Sequence, residues 1–85
     1  MPDAVLVAEV AEVVRSAAKL RPEVLIGPET RLVEDLGIDS LDLVGVLLQV
    51  QDRFDLAIDD DDVPGLSRVA DVAAYVARHR AHAAA

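Results

Sequence analysis

The segment EDLGIDSLDLVG, residues 34–45, places a serine between two aspartates just before an apolar run. Asp39 has a side chain suited to a helix N-cap, which makes Ser40 the first helical residue and Asp42 the third, in a variant of the capping box. Gly37 allows the preceding loop to turn sharply, so we expect the Ser40 hydroxyl to stand exposed at the helix entrance. Capping alone is a common reason for such a pattern, and the surrounding sequence decides whether Ser40 has a further role.

The residues after Ser40 have the period of an amphipathic helix that ends near Phe54. The apolar residues that share one face form its predicted core stripe: Leu43, Val46, Leu47, Val50 and Phe54. On the opposite face, Leu41, Gly45, Leu48 and Asp52 follow one another at spacings of three and four. One exposed leucine needs no explanation, but two in a row that begins beside the serine predict a docking surface.

The remaining segments predict a first helix from Ala4 to Leu20, with Asp3 as its cap and Pro22 ending it, followed by a long loop. Within that loop, over residues 21–39, Leu32 and Leu36 are expected to contact the core.

Four aspartates, residues 59–62, begin a short helix that Pro64 and Gly65 limit to about one turn. Ser67 is predicted to cap a last helix that ends near Arg80, with a disordered tail from about residue 81. The predicted fold class is therefore all-α. It is a small four-helix bundle, three main helices and one short helix with a long first loop, in a single domain over residues 1–85.

Composition limits the function. The chain of 85 residues carries a net charge of −8, which argues against binding to nucleic acid or to an anionic membrane and favours partners with basic surfaces. It has no cysteine, so a disulfide, a thiolate metal site or a reactive thiol is not encoded. No signal-peptide pattern or membrane span is found, so we expect a cytoplasmic protein. We also expect a monomer.

Three other functions fit the sequence poorly. A calcium-binding loop that started at Asp59 would place Pro64 and Ala70 where a glycine and a glutamate are required. A serine hydrolase lacks the G-x-S-x-G motif and a base near the serine. His79 and His82 share a helix face without a further ligand, and we expect them to be solvated residues near the helix end.

The segment LVEDLGIDSLDLVGVLLQVQDRF, residues 32–54, resembles the signature of acyl carrier proteins, and a weaker likeness extends along the whole chain. The resemblance implies a four-helix bundle that is not an enzyme and that carries 4′-phosphopantetheine, derived from coenzyme A, on Ser40. It also implies that Asp39, Leu41 and Asp42 are read by a phosphopantetheinyl transferase. The expected partner-docking residues, which include the outer face described above, are Asp39, Leu41, Asp42, Val44, Gly45, Leu48 and Asp52.

The resemblance also accounts for the absence of cysteine and of a histidine near Ser40. The thiol belongs to the arm, and the transferase supplies the base and the magnesium. Acyl intermediates would then pass as thioesters between loading and chain-processing enzymes through weak, electrostatic docking, with local concentration replacing affinity.

The outer face departs from that of fatty-acid carriers, which usually have glutamates along this helix. Gly45, Gln49 and Gln51 stand there instead. This departure supports a polyketide or other specialised pathway at least as well as fatty-acid synthesis, so the expected pathway is fatty-acid, polyketide or related biosynthesis. A peptidyl or aminoacyl carrier, or an unmodified helical adaptor, remains the alternative. The start at Met1 and the complete set of helices favour a free-standing protein.

Overall fold

A computed structural model describes the backbone of residues 4–84 and the side chains of residues 4–79. It contains the helices α1 (Ala4–Ala17), α2 (Ser40–Phe54) and α3 (Val69–Ala84) and the short 3-10 helix η1 (Asp60–Gly65). No β-strand occurs within the described range, where the one β-bridge is isolated. The all-α arrangement of three long helices and one short helix confirms the fold class predicted from the sequence.

Helix α1 is the element against which both other long helices pack. Its buried face is aliphatic and includes Val10 and Val14, which are fully enclosed. They share the core with the buried side of α2 and with α3, where Val69, Val72 and Val76 are enclosed in the same way. Because almost every core residue is a valine, leucine or isoleucine, the bundle gains its stability from many small apolar contacts.

The C-terminus of α1 lies three residues before the predicted end at Leu20. Lys19 adopts a left-handed conformation with φ 56°, and the Leu20 N–H donates to the Arg15 carbonyl at 2.9 Å. Together with the hydrogen bond from the Lys19 N–H to the Ser16 carbonyl, this is a Schellman motif built without glycine. No glycine therefore marks the end of this helix in the sequence. The predicted cap of α1, Asp3, lies outside the described residues.

The long loop is held to α3 by backbone hydrogen bonds. The Leu32 N–H donates to the Ser67 carbonyl, and the Val69 N–H donates to the Thr30 carbonyl. The first N–H groups of a helix have no partner inside it, so the loop supplies acceptors that α3 needs. Leu32 itself is completely buried and Leu36 is half-buried, which confirms that these two residues fix the loop to the core.

The ends of α3 differ from the sequence prediction. The Asp71 carboxylate accepts hydrogen bonds from the Arg68 N–H at 3.0 Å and from the Ser67 hydroxyl at 3.2 Å. Arg68 is therefore the residue next to the first helical position, and Ser67 acts through Asp71 rather than as the cap. At the other end, α3 continues to Ala84, so the predicted end near Arg80 was about four residues short.

The short helix η1 begins within the run of aspartates, as predicted: Asp59 is its N-cap, and the Asp59 carboxylate accepts from the Asp61 N–H at 3.0 Å. It is six residues long, about two turns of a 3-10 helix rather than one, and Pro64 lies inside it. Its apolar residue Val63 packs against the core, so η1 covers one side of the bundle next to α2.

Candidate functional site

The site is built around the start of α2. Asp39 is the N-cap, with extended backbone angles of φ −80° and ψ 176°, and its carboxylate accepts from the Asp42 N–H at 2.9 Å. This geometry confirms the predicted cap and makes Ser40 the first helical residue. Gly37 has φ 69°, a left-handed conformation that costs glycine little, so the chain turns here before it enters the helix.

The Ser40 side chain is exposed, and its hydroxyl has no hydrogen-bond partner among the described residues. Within the same range, the backbone N–H groups of Ser40 and Leu41 also lack an acceptor. Free N–H groups and the helix dipole give this end of α2 a partial positive charge, which suits a phosphate ester on the hydroxyl. The residues present therefore fit a phosphopantetheine arm attached at this position.

An apolar groove begins at Ser40 and runs between α2 and η1. It has a volume of about 380 Å³. We call it the Ser40 groove, and its lining residues are Ser40, Leu43, Val44, Leu47, Leu48, Gln51, Ile58, Asp60 and Val63. Most of these side chains are aliphatic, so an apolar chain that entered beside Ser40 would gain free energy by leaving water.

The outer face of α2 is exposed, as its periodicity predicts. Leu41 is 83% exposed, Leu48 58% and Val44 56%, whereas Gly45 is half-buried. Val44 and Leu48 also line the Ser40 groove, so the exposed face and the groove share a rim.

The acidic members of the expected docking set are exposed as well. Asp39 and Asp42 lie on either side of Ser40, and Asp52 lies near the other end of α2. Two ends of one helix face thus carry negative charge, with apolar side chains between them. This pattern suits a partner that presents basic groups around an apolar contact.

Two side chains fix the connector that leads from α2 into η1. The Gln51 side-chain oxygen accepts from the Ile58 N–H at 2.8 Å. The Tyr75 hydroxyl accepts from the next N–H, that of Asp59, at 3.2 Å, and donates to the Asp62 carboxylate at 2.9 Å. Through these contacts α2 and α3 together position η1, which is one wall of the Ser40 groove.

Tyr75 is buried, with 2% of its surface exposed. The Asp59 N–H lowers the pKa of Tyr75, but burial and the Asp62 carboxylate together raise it by more, so the pKa lies above its ordinary value of 10.0. Sequence analysis missed this residue. The available signal was a single tyrosine among inward-facing aliphatic residues, because a buried hydroxyl requires a hydrogen-bond partner.

His79 corrects a further expectation. It is half-buried, its ring stacks on Tyr75 with centroids 3.9 Å apart, and its Nδ1–H donates to the Tyr75 carbonyl at 2.9 Å. The prediction of a solvated helix-end residue is therefore wrong for His79, because the histidine shields the tyrosine from water. The side chain of His82 lies outside the described residues.

Comparison with known proteins agrees with this geometry. The model of the family described as "Phosphopantetheine attachment site" matches residues 8–76. The chain belongs to this family. Membership confirms the resemblance seen in the sequence, the phosphopantetheine cofactor and the prediction of a carrier domain rather than an enzyme.

Several proteins named as acyl carrier proteins are similar to the chain. The "Meromycolate extension acyl carrier protein" of Mycobacterium tuberculosis is 38% identical over 71 residues, which cover 84% of this chain and 61% of that protein. The protein of the same name from Mycolicibacterium smegmatis is 37% identical over 71 residues, covering 84% and 71%. The "Acyl carrier protein" of Syntrophobacter fumaroxidans is 39% identical over 57 residues, covering 67% and 70%. The chain thus spans about three fifths of the length of the mycobacterial relative.

No helix within residues 4–84 is long and apolar enough to cross a bilayer.

Proposed function

We propose that the protein carries acyl intermediates as thioesters on a phosphopantetheine arm attached to Ser40, and delivers them to successive biosynthetic enzymes. The observation that carries this proposal is the Ser40 hydroxyl, which is exposed, has no partner among the described residues and stands at the opening of an apolar groove. A serine whose role was only local would use its hydroxyl to accept from its own helix. Asp39 performs that role instead.

Attachment requires little chemistry from the chain itself. The Ser40 oxygen attacks the phosphorus that bears the pantetheine half of coenzyme A, and an oxygen–phosphorus bond forms while the pyrophosphate bridge breaks. The nucleotide half leaves with the bridging oxygen, and the hydroxyl proton passes to a base of the transferase. The contribution of this chain is to hold the hydroxyl accessible on a rigid helix end, where free N–H groups stabilise the phosphate that results. Once attached, the arm supplies the thiol that the cysteine-free chain lacks.

Docking of the transferase and of the later enzymes is assigned to Asp39, Leu41, Asp42, Val44, Gly45, Leu48 and Asp52. The exposed leucines and the net charge of −8 support partners that combine an apolar contact with basic groups. A monomer in the cytoplasm belongs to the same proposal, and a chain without cysteine suits a reducing compartment.

The test is an intact-mass measurement after incubation with coenzyme A, magnesium and a phosphopantetheinyl transferase of broad specificity. The wild-type chain should gain the mass of one phosphopantetheine group, and Ser40→Ala should gain none. Ser67→Ala is the matched control, because Ser67 is also an exposed serine beside the start of a helix. It should be modified as fully as the wild type. An unmodified wild-type chain, or a modified Ser40→Ala, would overturn the assignment.

A further inference from the structure

Besides Ser40, the lining of the Ser40 groove includes two polar side chains, Gln51 on α2 and Asp60 on η1. Gln51 follows Ser40 by eleven residues, which is close to three helical turns, so the two side chains lie within about 20° of each other around α2. The same spacing separates them by about 16 Å along the helix axis. Val44 and Leu47 lie between them on this face. A chain that enters at Ser40 and follows the groove therefore passes apolar side chains before it reaches Gln51.

The orientation of the Gln51 amide is set by its partner. The Ile58 backbone N–H lies 2.8 Å from one end of the amide and can only donate a hydrogen bond, so that end must be the oxygen. The amide nitrogen is consequently the end that points away from Ile58. Because the bond to Ile58 fixes the orientation of the amide, Gln51 presents a positioned NH₂ donor.

This donor has no acceptor among the described residues. No side-chain nitrogen or oxygen in that range is both fully enclosed and without a partner, so the Gln51 nitrogen remains accessible. The residue is half-buried and lines the Ser40 groove. The groove thus contains an NH₂ group that is held in place and still has two hydrogens to donate.

We propose that Gln51 determines the class of cargo that the groove retains, by donating a hydrogen bond to a ketone or hydroxyl oxygen on the acyl chain. This inference rests on the proposed carrier function. A saturated chain that covers the Gln51 NH₂ displaces water from the NH₂ group and offers no acceptor in its place. An oxygenated chain offers an oxygen that accepts a hydrogen bond from the NH₂ group. The groove therefore favours oxygenated acyl chains over saturated chains of the same length.

The test compares two acyl groups on the carrier, a saturated chain of medium length and the same chain with one mid-chain ketone. Both are transferred to Ser40 from the corresponding acyl-coenzyme A, and the rate of thioester cleavage by hydroxylamine is measured. Each rate is divided by the rate for the same thioester on free pantetheine, which removes intrinsic reactivity. In the wild type, the oxygenated cargo should be cleaved about three- to tenfold more slowly relative to the saturated one, as expected for one partly exposed hydrogen bond.

The decisive variant is Gln51→Glu. Glutamate keeps an oxygen for the Ile58 N–H and has nearly the same shape, but at neutral pH it cannot donate. The rate difference between the two cargoes should disappear. Gln49→Glu is the matched control, because it makes the same change of charge at an exposed position outside the groove lining. It should retain the difference.

A spectroscopic measurement gives an independent answer. Gln49 and Gln51 carry the only two side-chain amides in the sequence, so the NH₂ signals in a ¹⁵N-correlated spectrum are readily assigned. The Gln51 signal should shift when the oxygenated chain is loaded and should shift less with the saturated chain, while the Gln49 signal stays in place.

The outcomes separate the two proposals. Equal protection of both cargoes in the wild type, or a difference that survives in Gln51→Glu, would overturn the role of Gln51 and leave the carrier function standing. A Gln51 signal that shifts fully with the unacylated arm would also overturn it, because the amides of the arm would then occupy the donor. Failure of the wild type to accept either acyl group at Ser40 would overturn the carrier function, and this inference with it.

Discussion

Replacing Tyr75 with phenylalanine tests how the wall of the Ser40 groove is held. The substitution keeps the buried ring and removes only the hydroxyl, which donates to the Asp62 carboxylate at 2.9 Å and accepts from the Asp59 N–H at 3.2 Å. A hydrogen bond to a charged group contributes about 1.5–3 kcal/mol. Because Asp62 and Asp59 are exposed and can regain water, we expect a loss of about 1.5 kcal/mol. For a chain of this size, that corresponds to a fall in Tm of about 6–12 °C.

The alkaline pH dependence offers a second readout of the same contact. The pKa of Tyr75 is raised in the folded state, so this group contributes stability that is complete below the unfolded pKa of about 10 and is lost as the pH rises through the folded value. The chain has one tyrosine and no tryptophan, so ultraviolet absorbance follows the ionisation of Tyr75 alone. The free energy of unfolding should fall more steeply above pH ~10 in the wild type than in Tyr75→Phe.

A double-mutant cycle isolates the pair. Asp62→Ala should destabilise the wild type and have little further effect in Tyr75→Phe, because the partner is already gone. Asp61→Ala removes the same charge from the next residue, which has no contact with Tyr75. It should therefore be close to neutral in both backgrounds. Additive effects of Tyr75→Phe and Asp62→Ala, or a normal tyrosine pKa in the folded chain, would refute the proposed role of the hydroxyl.

Three further tests concern other contacts, and chemical denaturation measures the stability of each variant. Leu32→Ala should lower the free energy of unfolding by about 2–5 kcal/mol because Leu32 is fully enclosed. Val33→Ala, at a position 51% exposed, should lower it by well under 1 kcal/mol. Similar losses for the two variants would mean that Leu32 does not fix the loop. Leu48→Glu should leave the bundle folded and slow its modification by the transferase, because Leu48 is exposed. Val46→Glu should unfold the bundle, because Val46 is fully buried. Unfolding by Leu48→Glu would place Leu48 in the core. Lys19→Gly should stabilise the protein by about 1 kcal/mol, since glycine adopts the left-handed conformation without strain, and a loss of stability would contradict the assigned end of α1.

Local patterns in the sequence sufficed to predict α2 and its cap. Asp39, Ser40 and Asp42 act within one helical turn. The period of the apolar stripe predicted its inward face, where Val46, Leu47 and Val50 are buried and Leu43 and Phe54 are half-buried. The exposure of Leu41 and Leu48 followed from the same period.

The features that escaped prediction depend on distant backbone groups. Leu32 and Ser67 are joined through a backbone N–H and a backbone carbonyl, which do not depend on side-chain identity, so no side-chain pattern marks their pairing. The left-handed turn at Lys19 is likewise independent of a glycine signal. Gln51 was noted only as a departure from an acidic face, because its bond to Ile58 depends on how the connector folds back along α2.

The central claim is most directly tested by locating the attached group in the unmutated protein. After reaction with coenzyme A and the transferase, the chain is digested and the fragments are sequenced by tandem mass spectrometry. The other aliphatic hydroxyls, on Ser16, Thr30 and Ser67, provide internal comparisons within one sample. We predict that the phosphopantetheine mass is found on Ser40 and on none of these three. Its presence on another residue, or its absence from a fully digested chain, would contradict the account.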